Sequence, residues 1–559
     1  MMHAATVGTG EQGRISTSVS GRSFRALMHR HWLKQLATPL LLLLLPLGFF
    51  LAFFHPATLQ IGNPGWLLKG NYNSDNGENA LGAHAYWHDR AAGASLRTTL
   101  LSAPDGVPVL FTDSNPLVTL AVKPFAKWLP ADAQLVGPFI LFSLILQTVF
   151  AWLLLRHHAP GAVALWAGIL LLAFPPTLAN RFIHANLMAH WTILAALYLF
   201  LQPKRGQRLT WWALLITITA LIHSYLLIMV GAIWASAMLV RFVDGSRITR
   251  VATLADGAAV LALVATLAWW LGVGDQMTTG SFGHFSMPLD ALWNPGLRAF
   301  STLLPSHDSR GGDWFEGFQY LGAGGLLLIA AAIIVARHLP ARDGALAVAQ
   351  RLRGLGPALI VLAILAIVQL PLPTSISAIL DPVRASGRLF WPVGYVLILM
   401  AILAVFRLSN QRAGLVLVGV VALQIADLAG MANTVRAQSA PSDRHHLYDR
   451  TRDPRWAQLI DRSSSIAFMP GDVTRDLGLF QEVSWRAINA GRPVANVYAA
   501  RTSRATVRRL AAERAAFARG ELVPGRLYVM LPGVALPTAA APRLLKLNGM
   551  TVIAPLPSR

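Results

Sequence analysis

"TPLLLLLLPLGFFLAFF" at residues 38–54 is followed, a short way down the chain, by "GNYNSDNGENALGAHAYWHD" at residues 70–89. The first stretch is apolar enough to belong in lipid. The second packs Asn, Asp, Glu, two His, a Tyr and a Trp into one segment. A spanning helix needs about 20 mostly apolar residues. Read as a crossing, the first stretch makes the second a polar segment that begins just outside a bilayer, and the rest of the chain follows from that reading.

The totals agree. Of 559 residues, 54% are hydrophobic and only 13% charged, whereas a soluble chain carries about a quarter charged residues. Apolar runs of spanning length recur, which points to a polytopic, α-helical membrane protein. The net charge of +21 does not indicate nucleic acid. Lys and Arg lie between the apolar runs and in the tail, as positive-inside bias and anionic lipid require, and there is no zinc-finger spacing or basic region followed by heptads. The absence of cysteine removes disulfides, thiolate metal sites and cysteine nucleophiles.

Residues 1–34 read as a disordered, basic cytoplasmic arm. The apolar run after it exceeds the ~7–15 residues of a signal-peptide core, so an uncleaved first helix is expected. A transmembrane domain then covers 35–430, with crossings near 37–54, 135–155, 160–178, 187–202, 250–271, 320–336, 355–370, 391–406 and 413–428. The long apolar block at 211–242 has basic residues at both ends, so two short helices breaking near His223-Ser224-Tyr225 are expected. That makes about eleven spans. With the basic stretches inside, loops 55–133 and 272–318 and everything after about 430 face the periplasm of a bacterial inner membrane. Residues 440–559 read as a soluble α/β domain. "SSSIAFMPG" and "GRLYVMLPG" are short buried strands, and "ATVRRLAAERAAFARG" is a helix stopped by Gly520.

The polar constellations each have a plain reading beside the chemical one. At 70–89 the plain reading is a solvated, turn-rich loop. A calcium loop fails, because Asn76 stands where Gly is needed and Gly82 where the bidentate Glu belongs. His84 and His88 would share a helix face, but without a HExxH pattern they are a thin zinc signal. Asp75 and Glu78 remain as candidate bases or holders of a divalent ion such as Mg or Mn. In "FTDSNPLVTLAVKPF", Asp113 is a further candidate acid, and Asp113 or Ser114 reads as a helix cap. Lys123 suits an anionic headgroup or phosphate. Arg181, His184 and His190 fall at the end of the third helix and the start of the fourth, where snorkelling is the plain account of Arg181. His223 at the break must line a cavity or be buried in protein. Glu316, Arg384 and Arg388 would be costly in lipid. The two arginines beside Gly387 could grip a phosphate, or simply meet headgroups.

Six segments in this order carry a resemblance: Asp75 with "LG" at 81–82, "FTDSNPL" with Lys123, "IHSY" at 222–225, "EGFQYLGAG" at 316–324, "DPVRASGRLFWP" at 381–392 and "NVYAAR" at 496–501. The chain resembles the bacterial inner-membrane family known as domain-of-unknown-function family 6311. That family in turn looks like the GT-C superfamily of membrane glycosyltransferases. The resemblance implies transfer of a sugar from a polyprenyl-phosphate donor to an envelope glycan or glycolipid acceptor at the outer face of the bilayer. A carboxylate in the first external loop does the work there, often with a divalent metal. Asp75 occupies that place, and Arg384 or Arg388 would hold the donor phosphate. Arg181, His184, His223, Glu316 and Lys123 join them as substrate-binding candidates. The sequence departs from the superfamily in having Asn76, not a second acid, after Asp75, and Ala83 where a tryptophan follows "LG". A lipid or glycolipid flippase, and a non-catalytic assembly protein of the envelope, are the alternatives. No internal repeat of the kind transporters show is evident.

Overall fold

A computed structural model describes residues 21–69, 74–93, 95–274, 276–277, 282–296, 300–309, 315–368, 373, 375, 380, 383–441 and 447–556. The chain divides into two compact units, residues 1–45 and residues 46–559. In the first, helix Gly21–Phe53 begins inside the stretch expected to be a disordered arm. Residues 1–20 of that arm lie outside the described residues.

The architecture is mostly helical, because Leu, Ala, Val and Phe run uninterrupted and apolar all round, the pattern of helices with no face for water. Five segments are long and apolar enough to cross a membrane: Val136–Leu155, Ser224–Asp244, Arg247–Trp270, Asp343–Ile367 and Ser386–Val405. Two bent pairs, Ala162–Ala173 with Pro176–Ile183 (41°) and Asn410–Asp427 with Ala429–Gln438 (48°), raise this to seven if each is one span. The first bend falls at Pro175-Pro176, where the ring removes a backbone donor and crowds the preceding turn. Helices Ala185–Leu201, Leu209–Ile222 and Gly322–His338 are apolar but shorter than the ~20 residues that a crossing needs. By length and composition the structure therefore carries five to seven candidate spans where the sequence reading counted eleven.

The break expected near His223 is present and has a specific cause. His223 is extended (φ −165°, ψ 137°), and its Nδ1 accepts the Tyr225 N–H at 3.1 Å, capping helix Ser224–Asp244. The second helix of the pair is itself of spanning length, not short.

The first polar loop is folded. Ser74–His88 is a helix with Asp75 in its first turn, where a negative charge complements the helix dipole. It is followed by a two-stranded antiparallel ribbon, β1 (Arg97–Thr98) with β2 (Val107–Pro108), and by helix Pro116–Val122.

The tail is an α/β unit with four strands in the order β3-β4-β6-β5: β3 Ser465–Met469, β4 Arg526–Met530, β5 Leu544–Leu547 and β6 Met550–Ile553. β3 and β4, the two strands legible in sequence, run parallel, with Ile466 opposite Leu527 and Phe468 opposite Val529. Helix Arg504–Ala518 is capped by Ser503, and the chain leaves it through Gly520 at φ +82°, a conformation that suits glycine.

The apolar core does not stop at the tail. Phe50, Phe54, Trp66 and Leu67 belong to the same buried cluster as Trp456, Phe468, Phe480 and Trp485. Helix Leu477–Asn489 lies on helix Ser74–His88, and a side chain at Gly77 would strike Gln481 and the Leu67 carbonyl. Trp485 stacks on His84 with ring centroids 3.8 Å apart. That close seating brings the tail to the polar cluster described next.

Candidate functional site

Five pieces of chain meet at the polar ends of the helices: the start of helix Ser74–His88, the turn at 109–113, the segment 180–188, and the paired segments 315–319 and 383–390. Glycines make the meeting possible. A Cβ on Gly387 would lie 2.7 Å from Gly317 Cα, so two backbones abut there. Their neighbours Glu316 and Arg388 are thereby set face to face. Gly82 likewise lies against Thr112 and Ser114, where any side chain would collide with both hydroxyls.

Glu316 is the centre of the charge network. Arg388 grips it through Nε and Nη2, both at 2.7 Å, and Arg181 Nη1 donates to it at 2.6 Å. Arg181 is 1% exposed and also donates to the Phe315 carbonyl at 2.5 Å. It is an internal ion-pair partner, not a snorkelling side chain. Burial pushes the Glu316 carboxyl up, but Arg388, Arg181 and His184 together hold it well below the usual carboxylate range.

His184 bridges two carboxylates. Its Nδ1 lies 3.4 Å from Asp75 Oδ2 and its Nε2 lies 3.3 Å from Glu316 Oε1. Its ring can pass a proton from one side to the other. Asp75 also accepts the Tyr498 hydroxyl at 3.1 Å. His190, which the sequence placed deeper in the helix, is fully buried, with Nδ1 against the Tyr395 hydroxyl at 2.9 Å.

Asp113 faces the same space by way of backbone strain. Asn115, not Asp113 or Ser114, caps helix Pro116–Val122, accepting the Val118 N–H at 3.2 Å. Asp113 sits two residues earlier in the left-handed region (φ 49°), which Asp tolerates better than most residues. Its carbonyl takes N–H groups from Asn79 (2.7 Å) and Asn186 (2.6 Å). The carboxylate is left to face His223 Nε2 at 3.4 Å. Because His223 Nδ1 is already an acceptor, Nε2 is the nitrogen that carries the hydrogen towards Asp113. Burial first, and the Asp75 charge as well, push Asp113 up to about 6, against the pull of His184 and Arg388.

Glu78 is buried and accepts the Ala500 N–H at 2.6 Å. Burial, then Asp75 and Asp113, raise its carboxyl well above the usual range, so it is the proton-holding member of the trio. Asp75, at the surface of the cluster with 22% of its side chain exposed, is placed to act as base.

Two sequence candidates stand apart from this cluster. Lys123 Nζ donates to the carbonyls of Tyr86 (2.6 Å), Trp87 (3.3 Å) and Asp89 (2.7 Å). It closes the C-terminal end of helix Ser74–His88, whose last carbonyls lack partners within the helix. Arg384 is half-buried and makes no ion pair among the described residues. His84 and His88 do share a helix face, but His84 stacks on Trp485 and meets Asn489 Oδ1 at 2.9 Å. They seat the tail. Among the described residues no three His, Asp or Glu side chains are grouped to hold a metal ion. Asp75 accepts from the Tyr498 hydroxyl and Glu78 from the Ala500 N–H, so each spends one oxygen within the protein.

The residues that sequence reasoning left without roles come from two quoted motifs. "NVYAAR" supplies Tyr498, the Ala500 N–H and Arg501. "IHSY" supplies Tyr225, whose ring lies under the Arg388 guanidinium at 4.7 Å and whose hydroxyl accepts the Ala385 N–H at 2.7 Å. Both motifs signalled importance; neither could say what it touched.

No curated protein matches the chain. Family models do: that described as "Domain of unknown function (DUF6311)" covers residues 43–429, and the "DUF6311 C-terminal domain" covers residues 455–555. The first takes in nearly all of the helical part with the acid–histidine–arginine cluster, the second the tail that reaches into it, and the chain belongs to the DUF6311 family.

Proposed function

We propose that this protein is a membrane glycosyltransferase of GT-C type, which moves a sugar from a polyprenyl-phosphate donor to a hydroxyl of an envelope glycan or glycolipid. One observation carries the reading. The acid that follows the first apolar helix, Asp75, meets His184, and through it the Glu316–Arg388–Arg181 network, at the edge of the helical part, with Asp113–His223 beside it. In the reaction the acceptor O–H gives its proton to Asp75 and the oxygen attacks the sugar C1. The C1–O bond to phosphate breaks, and polyprenyl phosphate leaves with the electron pair. His184 relays or shares the proton taken up by Asp75, and the cationic groups stabilise the charge growing on the leaving phosphate.

Location belongs to the same proposal. Lys204, Arg205, Arg250, Arg337, Arg342 and Arg407 lie at helix ends remote in sequence from the cluster, which fits a cytoplasmic side for them and a periplasmic side for the site and tail. Taken with the seven candidate spans, the shorter apolar helices Ala37–Phe53, Ala185–Leu201, Leu209–Ile222 and Gly322–His338 make up the eleven crossings of a bacterial inner-membrane enzyme. Ionisable groups gathered in a single cluster favour transfer over lipid flipping.

The test uses the full-length protein in nanodiscs with a panel of polyprenyl-phosphate sugars, scoring transfer and donor hydrolysis by mass spectrometry. Turnover is expected to fall about a hundredfold or more in Asp75→Asn. Donor binding without turnover in wild type would replace the reading with a flippase. Turnover unchanged in Asp75→Asn would remove Asp75 from the role of base.

A further inference from the structure

We infer that a pocket on the C-terminal domain, walled by Tyr448, Asp461, Arg486 and Asn489, binds one neutral sugar unit of a glycan chain. The inference rests on the proposed reaction for what that chain is, the acceptor, and adds where it is held.

The pocket holds about 170 Å³, room for a few waters or one sugar ring and too little for a lipid chain. Its walls are of two kinds. Ala457, Ile460 and Ala490 are apolar, and the C–H face of a sugar ring sheds water favourably against such groups. The rest of the lining is polar. Arg486 lies over the Tyr448 ring at 3.7 Å and is fixed by Nε and Nη2, which donate to the Thr451 hydroxyl and carbonyl, both at 2.9 Å. Its Nη1 has no acceptor among the described residues. The Tyr448 hydroxyl takes a long 3.4 Å contact from Asn489, and its own hydrogen also has no acceptor among the described residues. Burial first, and the Asp132 charge as well, push that phenol above its usual range, so it stays a donor. The Asp461 side chain is exposed and makes no hydrogen bond or ion pair among the described residues; Arg492 uses only its backbone carbonyl, at 2.6 Å. Two donors and a carboxylate acceptor thus stand beside an apolar wall. Sugar hydroxyls satisfy such a set, because each is donor and acceptor at once. One guanidinium and one carboxylate balance in charge, which favours a neutral ligand over an ion.

The pocket is tied to the proposed site. Asn489 Oδ1 meets His84 Nε2 at 2.9 Å, and Asn489 Nδ2 donates to Asp132 at 2.7 Å. His84 lies on helix Ser74–His88, about 13 Å along its axis from Asp75 at ~1.5 Å per residue. That spacing makes the bound unit a neighbour of the reacting one, so the acceptor is an oligosaccharide, not a single sugar.

The experiment measures binding of the methyl glycosides of glucose, galactose, mannose, rhamnose and N-acetylglucosamine to the full-length protein in phosphatidylcholine nanodiscs, by saturation-transfer NMR. Inorganic phosphate and methyl glucuronide are the rival anions. Wild type is compared with Asp461→Ala and Ala457→Phe, both at exposed positions, and with Asp75→Asn. At least one glycoside is expected to bind wild type. Asp461→Ala should weaken it about tenfold or more, Ala457→Phe should do the same by filling the cavity, and Asp75→Asn should bind as wild type does. Two pocket variants are made so that one which fails to fold leaves the other to read. No glycoside bound by wild type, or binding unmoved in a folded pocket variant, overturns the inference and leaves the proposed reaction standing. Anions preferred to every glycoside also overturn it, making the pocket an anion site on Arg486. So does binding lost in Asp75→Asn, which would put the sugar at the acid cluster. Glycoside binding that depends on the pocket, in a protein that turns over no donor, sinks the proposed reaction and leaves the sugar site standing.

Discussion

Replacing Glu316 by Gln tests the network at its centre. Glu316 is a carboxylate that Arg181 and Arg388 share; the two arginines are 1% and 7% exposed, and three contacts of 2.6–2.7 Å join them to it. Glutamine keeps the shape but removes the charge and turns an N–H towards the guanidinium groups. Breaking a buried pair from one side costs about 3–5 kcal/mol, because the partner charge stays buried without compensation. Here two buried arginines lose that carboxylate. Arg388→Met is the informative contrast: it removes two contacts, but Glu316 keeps Arg181 and His184, and the buried cation goes too. Its cost should be smaller by about 2 kcal/mol. The assay is unfolding of the full-length protein in bicelles by added SDS, followed by tryptophan fluorescence. The pH dependence has a definite sign. A carboxyl held below its usual 4.5 contributes stability that is present above its unfolded value and lost only as pH falls through the lower folded value. The Glu316→Gln penalty should therefore be constant from about pH 8 to about pH 5.5. Equal costs for the two variants, or a penalty that shrinks over that range, would refute the reasoning.

Three further predictions concern the surroundings. Asp113 is raised from 3.8 to about 6, so its contribution is present below the lower value and lost as pH rises through the upper one, a change of about 3 kcal/mol; Asp113→Asn should flatten the decline in stability across that interval, and an unaltered slope in a pH series of unfolding midpoints would count against the shift. Gly82→Ala should lower stability by about 1–3 kcal/mol, since its methyl would press on Thr112 and Ser114; a neutral result in the same unfolding assay would show that the turn gives way freely. Trp485 is fully buried, stacks on His84 and donates to Asp132 at 2.9 Å. Trp485→Ala should cost about 3–5 kcal/mol and expose residues 498–503 to limited proteolysis; protection equal to wild type would mean the tail is held in some other way.

The sequence by itself determined the class of the molecule. Apolar runs need no partner to declare themselves, since burying about 20 such residues is a local property of the run. The break at His223 was legible for the same reason: one segment carried too much apolar length between basic ends. The tail strands and the stop at Gly520 followed from short-range periodicity and from backbone conformations that glycine adopts readily. Only the tertiary structure decided the rest. Lys123, the natural phosphate candidate by sequence, proved to close a helix end 34–37 residues away in the chain. Asp113 escaped the capping role that local pattern assigned it, because Asn115 took that role. Arg181 and Arg388 could not be seen to share Glu316, since their partner lies 135 and 72 residues distant. Tyr498 reaches Asp75 across 423 residues. Contacts between side chains so far apart depend on how whole elements are seated, and here glycines at 77, 82, 317 and 387 set that seating by letting backbones approach. The type of each glycine was printed in the sequence; what it would lie against was not.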